Sequence, residues 1–136
     1  MSDRLKPLEG AGLSMPAATA GARHTYWFFM MRVDKEKLGA STDEFTAAVK
    51  AEGIPVSAHY IARPIYKYPL FVNHSAFERG DHPYKRIDYK QVKCPTAEAI
   101  LDTCVILAVN ESYSDEDLEE TARGIEKVVG HFQGKR

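Results

Sequence analysis

Apolar positions along this chain fall into two repeating patterns and one long stretch without any. Near the C-terminus they recur at spacings of four, three, four and three, as Leu118, Ala122, Ile125, Val129 and Phe132. One apolar stripe at that period predicts an amphipathic helix over 114–132. Ser114 and Asp117 resemble a cap pair, and acidic residues crowd the positive helix start. Glu119 and Arg123 are expected to pair one turn apart on the solvent side. A second helix is predicted over 41–53, where Phe45, Ala48, Val49 and Glu52 share a face. Ser41 and Glu44 can form a capping box, and Gly53 supplies a left-handed stop. Pro95 opens a short helix over 95–103.

The remaining apolar segments read as strands. In HTYWFFMMRV, 24–33, apolar residues fall on both faces, as in a strand buried on both sides. In IPVSAHY, 54–60, Val56, Ala58 and Tyr60 alternate with Ser57 and His59. VILAV, 105–109, is a third, buried strand. Lys35 to Gly39 reads as a turn or the start of a short helix. Three strands covered by helices make a small α+β layer domain over 24–133. Residues 1–23 read as a lead-in. Positions 10–22 are linker-like in composition, and a helical remnant over 3–9 is too short to hold alone.

Residues 61–93 break both patterns. They include Pro64, Pro69 and Pro83 and show little sustained periodicity. A loop this long inside a compact domain is commonly functional or disordered. Seven cations, Arg63, Lys67, Arg79, Lys85, Arg86, Lys90 and Lys93, face three acids, Glu78, Asp81 and Asp88, an excess of +4. Tyr66, Tyr68, Phe71, Phe77, Tyr84 and Tyr89 are interleaved with them.

Composition narrows the class. A length of 136 residues implies one domain, and 44% hydrophobic with 27% charged residues is ordinary for a globular protein. The net charge of −1 argues against nucleic acid as a partner. The longest apolar run is too short to cross a bilayer, and the first residues lack the apolar stretch of a signal peptide. A cytoplasmic location without a membrane partner is therefore expected. Cys94 and Cys104 fit neither a zinc site nor a C-x-x-C pair and read as small buried hydrophobes.

No complete catalytic signature is present. The candidate chemistry begins where the second strand meets the long loop. His59 and Tyr60 sit at that strand end, a common position for site residues. His59 reads either as a hydrogen-bond donor and proton carrier or as a partly buried structural residue. Arg63, Tyr66 and Lys67 follow. Arg and Lys together can hold a phosphate or carboxylate, or can simply belong to a solvated face. His74 and His82 match no common metal-ligand spacing, so no metal is expected.

A series of short motifs carries a resemblance. His24-x-Tyr26-Trp27, followed by Arg32-Val33-Asp34, resembles the strand after the interdomain linker of the DegT/DnrJ/StrS-type aminotransferases. That family continues with a helix, a Gly-Ile pair and a strand ending in His-Tyr, here 42–52, Gly53-Ile54 and His59-Tyr60. A "C-P-x-A-E" helix start follows, here Cys94 to Glu98, then an apolar strand. Last comes a helix opened as at Tyr113-Ser114-Asp115-Glu116-Asp117. The order agrees over about 24–132.

The resemblance implies the C-terminal small domain of the aspartate-aminotransferase fold, with a three-stranded, mostly antiparallel sheet. Members move an amino group, usually from glutamate or glutamine, to a ketosugar or ketocyclitol. They use pyridoxal phosphate (PLP) held as a Schiff base on a lysine. That lysine and the cofactor-binding groups belong to the large N-terminal domain, which nothing in this chain resembles. The expectation is a substrate-side domain that is inactive alone, with no catalytic residue and no PLP of its own. Its expected partners are the large domain, in the same or a separate chain, a keto substrate and a second copy of itself. His59, Tyr60, Arg63, Tyr66 and Lys67 would contact substrate. Tyr66 stands where nucleotide-sugar members carry a histidine, in Pro64-Ile65-Tyr66, which leaves room for a different keto substrate. The alternative is a standalone non-catalytic module that binds an anionic sugar or a partner protein.

Overall fold

Alternation in β2, Phe28–Val33, points Phe29, Met31 and Val33 into the core and leaves Phe28 and Met30 half-buried and Arg32 exposed on the opposite face, so the strand is shorter than the 24–33 expected and is buried on one side rather than both. The computed structural model, which describes residues 1–75 and 86–134, places this strand inside a four-stranded antiparallel sheet. The strand order is β1 (Leu13–Ser14), β2, β4 (Cys104–Ala108), β3 (Val56–Ala58). The register sets Phe29 opposite Leu107, Met31 opposite Val105, and Val56 opposite Leu107, so these residues form one apolar face.

Helices cover that face. The main ones are α3, Thr42–Ala51, and α6, Asp115–Gly134. The capping box on α3 is present in full: Ser41 Oγ accepts from Glu44 N–H, and Glu44 accepts from Ser41 N–H. Ser114 and Asp117 satisfy each other at the start of α6 in the same way. The α6 stripe buries Ala122, Ile125 and Val129 and half-buries Leu118 and Phe132. Asp34 caps α2, Lys35–Leu38, and Gly39 ends it in the left-handed region.

Four further features depart from the sequence expectation. The sheet has four strands rather than three. The extra strand comes from the lead-in, where Leu13 pairs with Val33. The lead-in also folds into α1, Ser2–Leu5, and a 3-10 helix, Lys6–Ala11. These short pieces hold because they dock: Leu5 and Leu13 join the core. Gly12 makes that docking possible, since it is left-handed and a Cβ there would lie 2.6 Å from Leu38 N. Third, Glu119 pairs with Arg4 rather than with Arg123, whose partner is Glu120. Arg4 reaches Glu119 and Glu126 together because α1 lies beside α6. Fourth, Cys104 is buried but Cys94 is exposed, one residue ahead of the helix that begins at Pro95.

The chain divides into two units. The sheet unit comprises 1–60 and 103–136, and the loop unit comprises 61–102. The loop unit is not wholly irregular: it contains a 3-10 turn, Ile65–Lys67, the short helix α4, Pro69–Val72, and most of α5, Pro95–Thr103. Phe77, Arg79, His82, Tyr84 and Lys85, singled out from the sequence, lie outside the described residues.

Candidate functional site

Each unit carries part of the candidate chemistry. In the sheet unit, β3 ends on His59, whose φ of 53° lies in the left-handed region. A non-glycine residue held there costs about 1–3 kcal/mol and persists only where its surroundings impose it. The His59 N–H donates to the Cys104 carbonyl at 3.0 Å, which extends the ladder with β4. Its ring Nε2 lies 3.2 Å from Oδ1 of Asp43, in the first turn of α3. This contact becomes an ion pair when the imidazole is protonated. The turn at His59 directs the next residue back. Tyr60 N–H meets Cys104 Sγ at 3.4 Å, and the Tyr60 ring lies 5.1 Å from that of Phe28.

In the loop unit, Tyr66 and Lys67 both engage Glu98 at the start of α5. The Tyr66 hydroxyl donates to Glu98 Oε1 and accepts from the Cys94 N–H at 3.2 Å. Lys67 Nζ stands 3.1 Å from the same carboxylate oxygen and 5.8 Å from the Tyr66 ring centre. Withdrawal from water raises the Tyr66 hydroxyl pKa above its ordinary value, and the hydrogen bond to Glu98 adds to this. The Glu98 carboxyl is lowered, first by the Tyr66 hydrogen bond and then by that from Lys67. The cluster ties the 3-10 turn to the start of α5. It also matches the Lys67 charge with a carboxylate.

Arg63 is placed differently. Its guanidinium lies 5.9 Å over the Tyr68 ring, and among the described residues no carboxylate pairs with it. Farther along, Phe71 and His74 both contact the ring of Tyr89. Of the two histidines considered for a metal, His82 lies outside the described residues. No group of three possible metal ligands occurs among those described.

The structure thus leaves His59 and Tyr60 in the sheet unit and Arg63, Tyr66 and Lys67 in the loop unit. It adds two residues that sequence reasoning passed over. Glu98 was visible as an acid in the first turn of α5, but nothing in the sequence tied it to Tyr66, 32 positions away. Asp43 was visible only as part of a helix start.

Comparison with known proteins gives a consistent result. Residues 1–126 match the model of the DegT/DnrJ/EryC1/StrS aminotransferase family. The spore coat polysaccharide biosynthesis protein SpsC of Bacillus subtilis (strain 168) is 25% identical over 119 residues, covering 87% of this chain and 27% of SpsC. An aminotransferase from Psychrobacter cryohalolentis has the same fold, with a TM-score of 0.76 at 18% identity, over 96% of this chain and 32% of that one. A Streptococcus pneumoniae protein solved in its PMP form matches with a TM-score of 0.60 at 20% identity, over 96% of this chain and 29% of that one. The chain therefore spans less than a third of each of these relatives.

Proposed function

The chain belongs to the DegT/DnrJ/EryC1/StrS aminotransferase family, and from that membership we propose that it is the C-terminal, substrate-side domain of a PLP-dependent aminotransferase acting on a ketosugar or ketocyclitol. One observation carries the reading. The match runs nearly from end to end of this chain yet occupies only 27–32% of the relatives. The polysaccharide role in the name of SpsC supports a carbohydrate substrate. The PMP form of the pneumococcal neighbour supports the cofactor.

PLP, when bound, supplies an electron sink for amino-group chemistry. The residues described do not themselves fit an enclosed site for it. A Schiff-base lysine is activated by desolvation or by neighbouring cations. Every described lysine here is exposed, and the buried polar side chains are Thr42 and Thr46. The cofactor is accordingly assigned to a large domain, in the same or a separate chain, and that domain is the partner proposed. Of the two candidate cations Arg63 and Lys67, Glu98 already matches Lys67, so Arg63 is the one left to meet an anionic substrate group among the described residues.

Incubating the 136-residue chain with PLP and trapping with borohydride tests the assignment. The expected result is no stoichiometric label on any lysine. Adding a family large domain in trans should restore amino transfer to a ketosugar. Stoichiometric labelling of one lysine in the chain alone would sink the proposal.

A further inference from the structure

We infer that the start of β2 and the turn after β4 form a binding site for a neutral polyhydroxylated ring, such as a pyranose or an inositol, with Trp27 as its stacking platform. Trp27 is 82% exposed, an unusual position for the largest amphipathic side chain. Its ring is nonetheless backed. It lies 5.6 Å from Phe28, and Phe28 lies 5.1 Å from Tyr60, which is itself 49% exposed. The three rings form a row built from the first residue of β2, the residue before it, and the turn at His59. A solvated indole held by such a row presents a flat apolar face at little further ordering cost.

A shallow cleft of about 410 Å³ opens beside this indole, within the size range of small-molecule sites. Thr25, Tyr26, Trp27, Val109, Asn110 and Glu111 line it. Two of its lining residues are held in place. The Tyr26 hydroxyl is hydrogen-bonded to Ser2 Oγ at 2.9 Å, and the Tyr26 ring stacks on His24 at 4.9 Å. Asn110 Oδ1 accepts from Ser112 N–H at 2.8 Å, which orients the side chain and leaves its amide hydrogens as donors.

The polar lining selects the ligand class. Glu111 offers a carboxylate to hydroxyl donors, and Asn110 offers N–H groups to hydroxyl oxygens. Neither a lysine nor an arginine lines the cleft. A phosphate would meet the Glu111 charge without a cation to offset it. A sugar ring satisfies both walls at once, its C–H face on the indole and its hydroxyls on the amide and carboxylate. This site lies wholly in the sheet unit. It does not rest on the aminotransferase reading, because binding is measured without any amino transfer.

Trp27 is the chain's single tryptophan, so its fluorescence reports this site alone. The test titrates the 136-residue chain with glucose, N-acetylglucosamine and myo-inositol, and with glucose 6-phosphate as the anionic counterpart. A saturable change is expected for the neutral rings, with a Kd on the order of 1 mM. Glu111→Ala should weaken it roughly tenfold, equivalent to about 1.4 kcal/mol. Trp27→Ala, followed by amide shifts at Asn110 and Glu111, should abolish binding with no change in the far-ultraviolet circular dichroism. No saturable response, retention of binding in Trp27→Ala, or preference for the phosphorylated sugar would each overturn the inference. So would protection of Trp27 by self-association, detected by sedimentation at the same protein concentration. A chain that binds sugars but never supports amino transfer would sink the aminotransferase proposal and leave this site standing.

Discussion

Replacing Leu5 with alanine tests whether the first residues are part of the fold or a lead-in to it. Leu5 is 0% exposed and belongs to the same core cluster as Leu13, Phe29 and Ile125. Truncating a fully buried leucine removes its transfer free energy and leaves a cavity, which together cost about 2–5 kcal/mol. A value near 3 kcal/mol is expected here, since α1 is short and can partly collapse into the gap. Against a total stability of about 5–15 kcal/mol, that is a large fraction. In a domain of this size it should lower Tm by roughly 10 °C. Urea unfolding followed by circular dichroism gives the free energy directly, with the slope m unchanged if the unfolded state is the same. Lys6→Ala, one residue on and exposed, is the control and should stay within about 0.5 kcal/mol. If Leu5→Ala costs less than about 1 kcal/mol, the segment is a tether and the packing argument fails.

Other expectations follow from individual contacts. Gly12→Ala should cost about 2–4 kcal/mol, because it combines a left-handed φ of 100° with a Cβ 2.6 Å from the Leu38 backbone; thermal denaturation reads this, and a neutral result refutes it. Ser41→Ala should cost about 1 kcal/mol by removing one half of the capping box, read as a lower urea midpoint. Glu98 and Asp117 have folded pKa values below their ordinary 4.5 and 3.8, so their contributions are complete above those values and lost as pH falls through the folded ones. Glu98→Gln should therefore flatten part of the acid limb of a Tm–pH curve, and an unchanged limb would count against the cluster. Tyr66 has the opposite sense: its protonated hydroxyl is favoured, so its contribution holds below the ordinary 10.0 and fades as pH rises through the higher folded value. Spectrophotometric titration should show a late-ionising tyrosine component that Tyr66→Phe removes.

The helices were legible in the sequence because their signals are local. The Ser41 and Ser114 caps connect residues three positions apart, and the α6 stripe repeats within a single element. The strands β2, β3 and β4 were legible for a similar reason, as short apolar runs bounded by turn residues. The series of motifs along these elements was enough to indicate the family. What the sequence left open depends on distant partners. Leu13 reads as linker until Val33 lies opposite it, and two residues cannot announce a strand alone. Arg4 meets Glu119 and Glu126 only because α1 docks on α6, and that docking took Glu119 from the neighbour helical spacing proposed. Likewise, Lys67 looked like one member of a cationic loop, and only the fold set it beside Glu98. Local propensity and periodicity are encoded within a few residues of where they act. Charge matching, ring stacking and the closing of a sheet edge are decided by which segments the core brings together.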